Sequence, residues 1–201
     1  MDGALRHGPL SERTAHVVVD MQNLFASGAP WEVPWMDRVL PVIAEIAERH
    51  AARTVFTRFI PPDHPEEAHG SWRRYYERWR NITGARIDPE LLALVPRLAA
   101  LVPPAVIIDK QVYSPFANPQ LSRLLRDRHV DSLVLTGLES DVCVLSAALD
   151  AVDRGYRVVI VTDALCSSSD RTHDAILTIF RGRFSEQIET CDSETLLGHW
   201  R

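Results

Sequence analysis

Ser132-Leu133-Val134-Leu135-Thr136-Gly137-Leu138-Glu139-Ser140-Asp141-Val142-Cys143 decides how this chain is read. Leu133 to Leu135 is a short apolar run of the kind that forms a buried strand. Thr136-Gly137 breaks it. Ser140 and Asp141 are good helix N-caps, and Val142, Leu145, Ala148, Leu149 and Val152 follow at helical spacing. The stretch therefore predicts strand, tight turn, helix, with Cys143 in the first helical turn. Free N–H groups and the positive end of the helix dipole favour a thiolate there, which makes Cys143 a candidate nucleophile. A small buried residue packed under a helix is the competing reading.

Outward from this stretch, apolar runs alternate with helical patterns. His16-Val17-Val18-Val19 reads as a strand with Asp20 at its tip, Thr54 to Ile60 as a second, and Ala105 to Asp109 as a third, ending at Lys110. Arg157 to Thr162 and Phe184 to Thr190 supply two more after the Leu133 strand. Helices are expected from Met36 to Ala47, with Pro41 near the first turn, over Pro89 to Leu101 with Pro96 interrupting it, and over Asn118 to Arg128, with Asn118 as cap and Pro119 at the first position. Asp163 to Ser169 reads as a polar loop, Asp170 to Gly182 as a helix, and the tail after Asp192 as a short helix. Near-continuous apolar strands between helices imply an α/β domain with a parallel sheet covered on both faces. Such sheets bind ligands at the carboxyl ends of their strands, where strand order reverses. Asp20, Lys110 and Cys143 come from three such ends.

Composition narrows the function. The 201 residues suggest one domain, 1–201, with an aromatic-rich insertion at about 61–86 that carries Trp72, Tyr75, Tyr76 and Trp79 near helical spacing. That insertion reads as a helix packed on the core or on another subunit, or as a lid. A net charge of −5 and a pI of about 5.9 give no footprint for nucleic acid. No apolar run reaches the length of a membrane span, and Met1 to Arg13 lacks the apolar core of a signal peptide. Three cysteines argue against a disulfide framework, so a reduced, cytoplasmic protein is expected. The chain holds 21 Arg and a single Lys, Lys110. The one position that keeps a compact, titratable ammonium is thereby singled out.

Three pieces resemble the isochorismatase-like cysteine hydrolases, a superfamily that includes nicotinamidases and N-carbamoylsarcosine amidases. They are Val18-Val19-Asp20-Met21-Gln22-Asn23, Asp109-Lys110-Gln111-Val112-Tyr113-Ser114-Pro115-Phe116, and Thr136 to Cys143, in the same order and spacing. The resemblance implies a three-layer α/β/α, Rossmann-like domain with a six-stranded parallel sheet of order 3-2-1-4-5-6. It implies a catalytic triad of Asp20, Lys110 and Cys143. It also implies a cis peptide between Leu138 and Glu139, with the N–H groups of Glu139 and Cys143 forming an oxyanion hole. Nicotinamidases carry a metal-binding Asp-x-His element after the second strand; here Thr57-Arg58-Phe59 stands in its place, and no metal or cofactor is expected. Asp63, His64 and His69 follow within a turn-like sequence and are the remaining candidate ligands.

The implied activity is cysteine-dependent hydrolysis of a C–N bond in a small amide, carbamoyl or ureido compound, through a thioester. The alternatives are vinyl ether hydrolysis of the isochorismatase type, whose enzymes typically lack the cysteine, and a catalytically silent member that binds a small molecule or a protein. Phe25, Trp31, Phe59, Trp72, Tyr113, Phe116 and Leu138 are the candidate pocket residues, with Arg58 a candidate partner for a substrate carboxylate or for an acid of the insertion. Cys166 and Cys191 read as structural. Family members usually self-associate, so a homo-oligomer with a small-molecule substrate is expected.

Overall fold

The computed structural model describes residues 5–200. Six strands form one sheet in the order β3-β2-β1-β4-β5-β6, and every pairing is parallel. They are β1 (Thr14–Val19), β2 (Thr54–Phe59), β3 (Val106–Lys110), β4 (Ser132–Gly137), β5 (Arg157–Leu165) and β6 (Ile188–Cys191). β1 and β4 are adjacent, with Val19 opposite Gly137, so the strand order reverses between them. That pair places the ends of β1 and β4 side by side.

Alternation along the strands builds two apolar layers. Val18, Phe56, Val134 and Val159 face α1 (Met36–Arg49) and the buried Leu196 of α7 (Ser193–His199). Val17, Val19, Leu133 and Leu135 face the opposite layer of α4 (Pro119–Asp127), α5 (Leu145–Asp153) and α6 (Asp170–Arg181). Between the layers β1 and β4 are buried at every residue, as both-face coverage requires. Asn118 caps α4 through the Gln120 N–H, with Pro119 at the first position, as expected.

Several boundaries differ from expectation. Pro41 stands well inside α1, on its exposed face, where the carbonyl it leaves without a partner meets solvent. Pro89 to Leu101 is not one helix. Pro89–Leu92 forms a 3-10 turn and α3 spans only Pro96–Ala99, because Pro96 must begin a helix and Leu94 is drawn into a bridge with Gln22. β5 runs on to Leu165, absorbing the first part of the expected loop, and β6 begins only at Ile188. The aromatic segment holds α2 (Ser71–Arg78).

Candidate active site

Asp20 follows the last residue of β1 and adopts φ 54°, a left-handed conformation uncommon for a side chain. Its carboxylate is fully enclosed. Oδ1 accepts a hydrogen bond of 2.7 Å from the Thr57 hydroxyl, and the same hydroxyl oxygen accepts the Asp20 N–H at 3.2 Å. Oδ2 stands 2.7 Å from Nζ of Lys110, and neither side chain reaches solvent.

Lys110 ends β3, two strands away from β1. Its partner in register is Phe59, and the ammonium passes 5.0 Å from the Phe59 ring to reach the carboxylate. It also donates to the Val112 carbonyl at 3.2 Å and to Sγ of Cys143 at 3.4 Å. Burial works to lower the Lys110 pKa, but the Asp20 carboxylate and Cys143 outweigh it and the group is raised overall. The one lysine of the chain is thus a charged group packed between an acid and a thiol.

Cys143 lies in a π-helical turn, Ser140–Val144, which leads into α5. Ser140 and Asp141 do not cap this turn. The Ser140 hydroxyl pairs with Nδ1 of His173 at 2.9 Å and Asp141 pairs with Ser167, while the capping position falls to Glu139 without a side-chain bond. The Glu139 carbonyl accepts from Val142 and Val144, passing over the N–H of Cys143. The Leu138–Glu139 peptide is cis, and among the described residues the Glu139 N–H meets no acceptor.

The surroundings of the sulfur work against the expected thiolate. Burial pushes the Cys143 thiol up, the Asp20 carboxylate pushes it further, and the pull of Lys110 in the opposite direction loses to both. Burial and Asp20 together favour the protonated thiol at rest.

Asp20 and Cys143 open on a cavity of about 300 Å³. Phe25, Trp31, Phe59 and Tyr113 line it, as expected. Trp72 stands one layer behind, 4.7 Å from Tyr113 and 6.4 Å from Phe59 by ring centres. Two expected pocket residues lie elsewhere. Phe116 is buried against Tyr156 in the layer of α4 and α5, because its 3-10 turn (Pro115–Ala117) tucks beneath the sheet edge. Leu138 is fully buried in the layer beside α1 and reaches the site only through its backbone. Arg58 holds Asp109 of the neighbouring strand through two 2.8 Å bonds, and among the described residues it pairs with no acid of the insertion.

Glu139, expected at the site for its N–H, also lines the cavity, and residues not named as pocket candidates join it: Tyr75 and Trp79 from the aromatic segment, Glu32, Val142 and Ser168. Tyr75 and Trp79 are four residues apart and so share a helix face, a spacing the sequence displays. Nothing in the sequence marks Glu32. Thr57 was likewise unforeseen as a partner for Asp20. Asp63, His64 and His69 form no group with a third ligand, and no cluster of three or more His, Cys, Asp or Glu suited to a metal occurs among the described residues. No described helix is long and apolar enough to cross a membrane.

The isochorismatase domain model matches residues 14–192. Nicotinamidase 3 of Arabidopsis thaliana is 28% identical over 199 residues, covering 96% of this chain and 94% of its own length. The ureidoacrylate amidohydrolase RutB of Stutzerimonas stutzeri is 31% identical over 208 residues, covering 94% of this chain and 79% of its own length. Among solved structures, a cysteine hydrolase from Pseudomonas syringae pv. phaseolicola superposes with a TM-score of 0.79 at 25% identity, covering 99% of this chain and 98% of that one. The matched domain spans Asp20, Lys110, Cys143 and all six strands. This chain belongs to the isochorismatase family.

Proposed function

We propose that the protein is a cysteine-dependent hydrolase that cleaves the C–N bond of a small amide, carbamoyl or ureido compound. The observation that carries this reading is the contact of three groups at or just beyond the ends of separate strands: Lys110 Nζ stands 2.7 Å from the Asp20 carboxylate and 3.4 Å from the Cys143 sulfur, and Asp20 and Cys143 line the cavity. The names of the relatives, a nicotinamidase and a ureidoacrylate amidohydrolase, describe reactions of this kind. A thiol held against an acid and an ammonium favours C–N cleavage over vinyl ether hydrolysis, which needs no thiol.

The resting thiol defines the first step. Asp20 accepts the Cys143 proton as sulfur attacks the carbonyl carbon, so that the thiolate forms only with substrate in place. The substrate oxygen takes the negative charge opposite the N–H groups of Glu139 and Cys143. Asp20 returns the proton to the leaving nitrogen, the C–N bond breaks, and the acyl group remains on sulfur as a thioester. Asp20 then takes a proton from water as its oxygen attacks the thioester. The acid departs and sulfur regains a proton. Throughout, Lys110 offsets the charge of Asp20 and of the developing thiolate. The free state of Cys143, Cys166 and Cys191 suits a reducing, cytoplasmic setting.

The test is an amide and ureide panel with ammonia detection and intact-mass measurement. A substrate acyl group on Cys143, and loss of turnover in Cys143→Ala and Asp20→Ala with the circular dichroism unchanged, are the expected results. A fully active Cys143→Ala enzyme would remove the mechanism.

A further inference from the structure

The cavity wall has an electrostatic character that the hydrolytic chemistry does not require. Trp31 is the centre of an aromatic cage: its ring lies 6.0 Å from Phe25, 6.0 Å from Phe59, 6.2 Å from Tyr75 and 5.8 Å from Trp79, meeting Trp79 almost edge-on at 87°. All five rings line the one cavity, so its wall on this side is aromatic. Two carboxylates share that wall. Glu32 accepts from the Gly28 N–H at 2.9 Å and from the Ser27 hydroxyl at 3.3 Å. Glu139 accepts from the Ser168 N–H at 3.3 Å. Those donors are neutral. Among the described residues neither carboxylate has an ion-pair partner.

The positive charges near the site are already taken. Lys110 is balanced by Asp20 and closed off from solvent. Arg58 is clamped to Asp109 by two hydrogen bonds. Among the described residues no lysine or arginine lines the cavity. The Tyr75 and Tyr113 hydroxyls are raised, first of all by burial. A carboxylate-bearing substrate would enter this volume against two like charges with no cation to receive it. A cation would meet ring faces and two anions together, the combination that selects ammonium groups.

We propose that the substrate is a small carboxamide or carbamoyl compound bearing a positively charged nitrogen, quaternary or protonated. The charged nitrogen sits in the Trp31, Tyr75 and Trp79 cage facing Glu32 and Glu139, and the carbonyl lies over Cys143. This rests on the hydrolase reading above and adds the charge of the group next to the scissile bond.

Three amides of similar size test it: trimethylammonioacetamide, its uncharged tert-butyl isostere 3,3-dimethylbutanamide, and succinamate. Ammonia release at low ionic strength gives kcat/KM for each. The cation is expected to exceed its isostere by at least about ten-fold, the scale of one desolvated cation–π contact with a facing carboxylate, with succinamate the poorest. In Glu32→Gln the cation-to-isostere ratio should fall several-fold. An equal fall for all three amides would make Glu32 a loop support and overturn its part in recognition. Equal rates for cation and isostere, or a preference for succinamate, would overturn the proposal while ammonia release upheld the hydrolase. Should no amide release ammonia, calorimetric titration of Cys143→Ala with the same three compounds decides the matter. Tightest binding of the cation supports the proposal; any other order, or no binding, overturns it independently of turnover.

Discussion

Thr57 and Asp20 hold each other twice. The threonine hydroxyl donates to Oδ1 at 2.7 Å, and its oxygen accepts the aspartate N–H at 3.2 Å. One side chain of β2 thereby sets both the backbone and the carboxylate of a residue in a left-handed conformation. With Oδ1 occupied, Oδ2 is the oxygen that faces Lys110. A hydrogen bond to a charged group contributes about 1.5–3 kcal/mol, so Thr57→Val should lower kcat by roughly 10- to 100-fold with KM little changed. Thr57→Ser should restore most of it. Steady-state kinetics on a good substrate checks both, and a Thr57→Val enzyme with unchanged kcat would separate Thr57 from the site.

The protonated thiol leads to a second expectation. Asp20 is one of the two influences that raise Cys143, after burial itself. Asp20→Asn removes the negative charge and leaves the Lys110 ammonium, so the thiol pKa should fall while turnover is lost. Each unit of fall makes the thiolate about ten-fold more abundant at neutral pH, and iodoacetamide should therefore modify Cys143 faster in Asp20→Asn than in the native enzyme. Peptide mass mapping resolves the three cysteines, and Cys166 and Cys191, both pushed up to about 12 by burial first, remain slow. Slower alkylation in the variant would show that Asp20 draws the proton off sulfur at rest.

Lys110 cannot be exchanged for the cation the chain uses everywhere else. Its ammonium fits within 2.7 Å of Asp20 and 3.4 Å of Cys143 at once. The guanidinium of Lys110→Arg is wider and would shift the carboxylate, and misplacement by about 1 Å can cost about 100-fold in rate. Lys110→Met leaves the Asp20 carboxylate buried without its partner, a loss of about 3–5 kcal/mol of stability. Chemical denaturation should show the second variant strongly destabilised and the first much less so, with both defective in turnover.

His16 couples stability to pH away from the site. It is fully buried within β1, bonded through Nε2 to the Thr136 hydroxyl at 2.8 Å, with its pKa lowered to about 3 by burial first and by His50 second. A depressed histidine is neutral when folded and takes a proton more readily when unfolded. Its contribution is therefore complete above about pH 6.5 and is lost as pH falls toward 3. The amount is on the order of 5 kcal/mol. His50, stacked on Trp200 at 3.6 Å and lowered to about 4 by burial and by Arg53 and Arg49, acts in the same direction. Melting temperatures between pH 7.5 and 5 should drop more for the native protein than for His16→Gln, whose amide does not titrate.

Gly137 closes β4 with φ 107°, and a Cβ there would lie 2.7 Å from the Val19 amide nitrogen. Gly137→Ala combines a backbone conformation that L-residues avoid with a collision against the neighbouring strand, so a loss of about 2 kcal/mol or more is expected. Differential scanning calorimetry of the variant checks this. An alanine accepted without loss would mean that β1 and β4 can separate at their ends.

The layered sheet and the meeting of Asp20, Lys110 and Cys143 were legible in the sequence, because both follow from local pattern. Unbroken apolar runs between helical periods imply parallel strands, and the residue after each run lies at the same edge of such a sheet. The three motifs, matched in order and spacing, supplied the strand order. What was not legible depends on groups distant in sequence. Phe116 and Leu138 turn into opposite core layers while Tyr75 and Trp79 swing in to line the cavity, since an aromatic ring takes whichever enclosed surface the folded chain offers it. Thr57 became the partner of Asp20 through strand register, and Glu32 reached the cavity through a loop with no periodicity to read.

The protonation of Cys143 shows the division most sharply. Its position at the start of a helix is a local property, and local reasoning predicts a thiolate. The upward direction of its pKa is set by how far water is excluded and by how near Asp20 stands, and only packing determines those distances. The amino-acid sequence thus determined which groups would meet; the tertiary structure decided their charge and the shape of the space above them, because desolvation and long-range contact exist only once the chain has closed around the site.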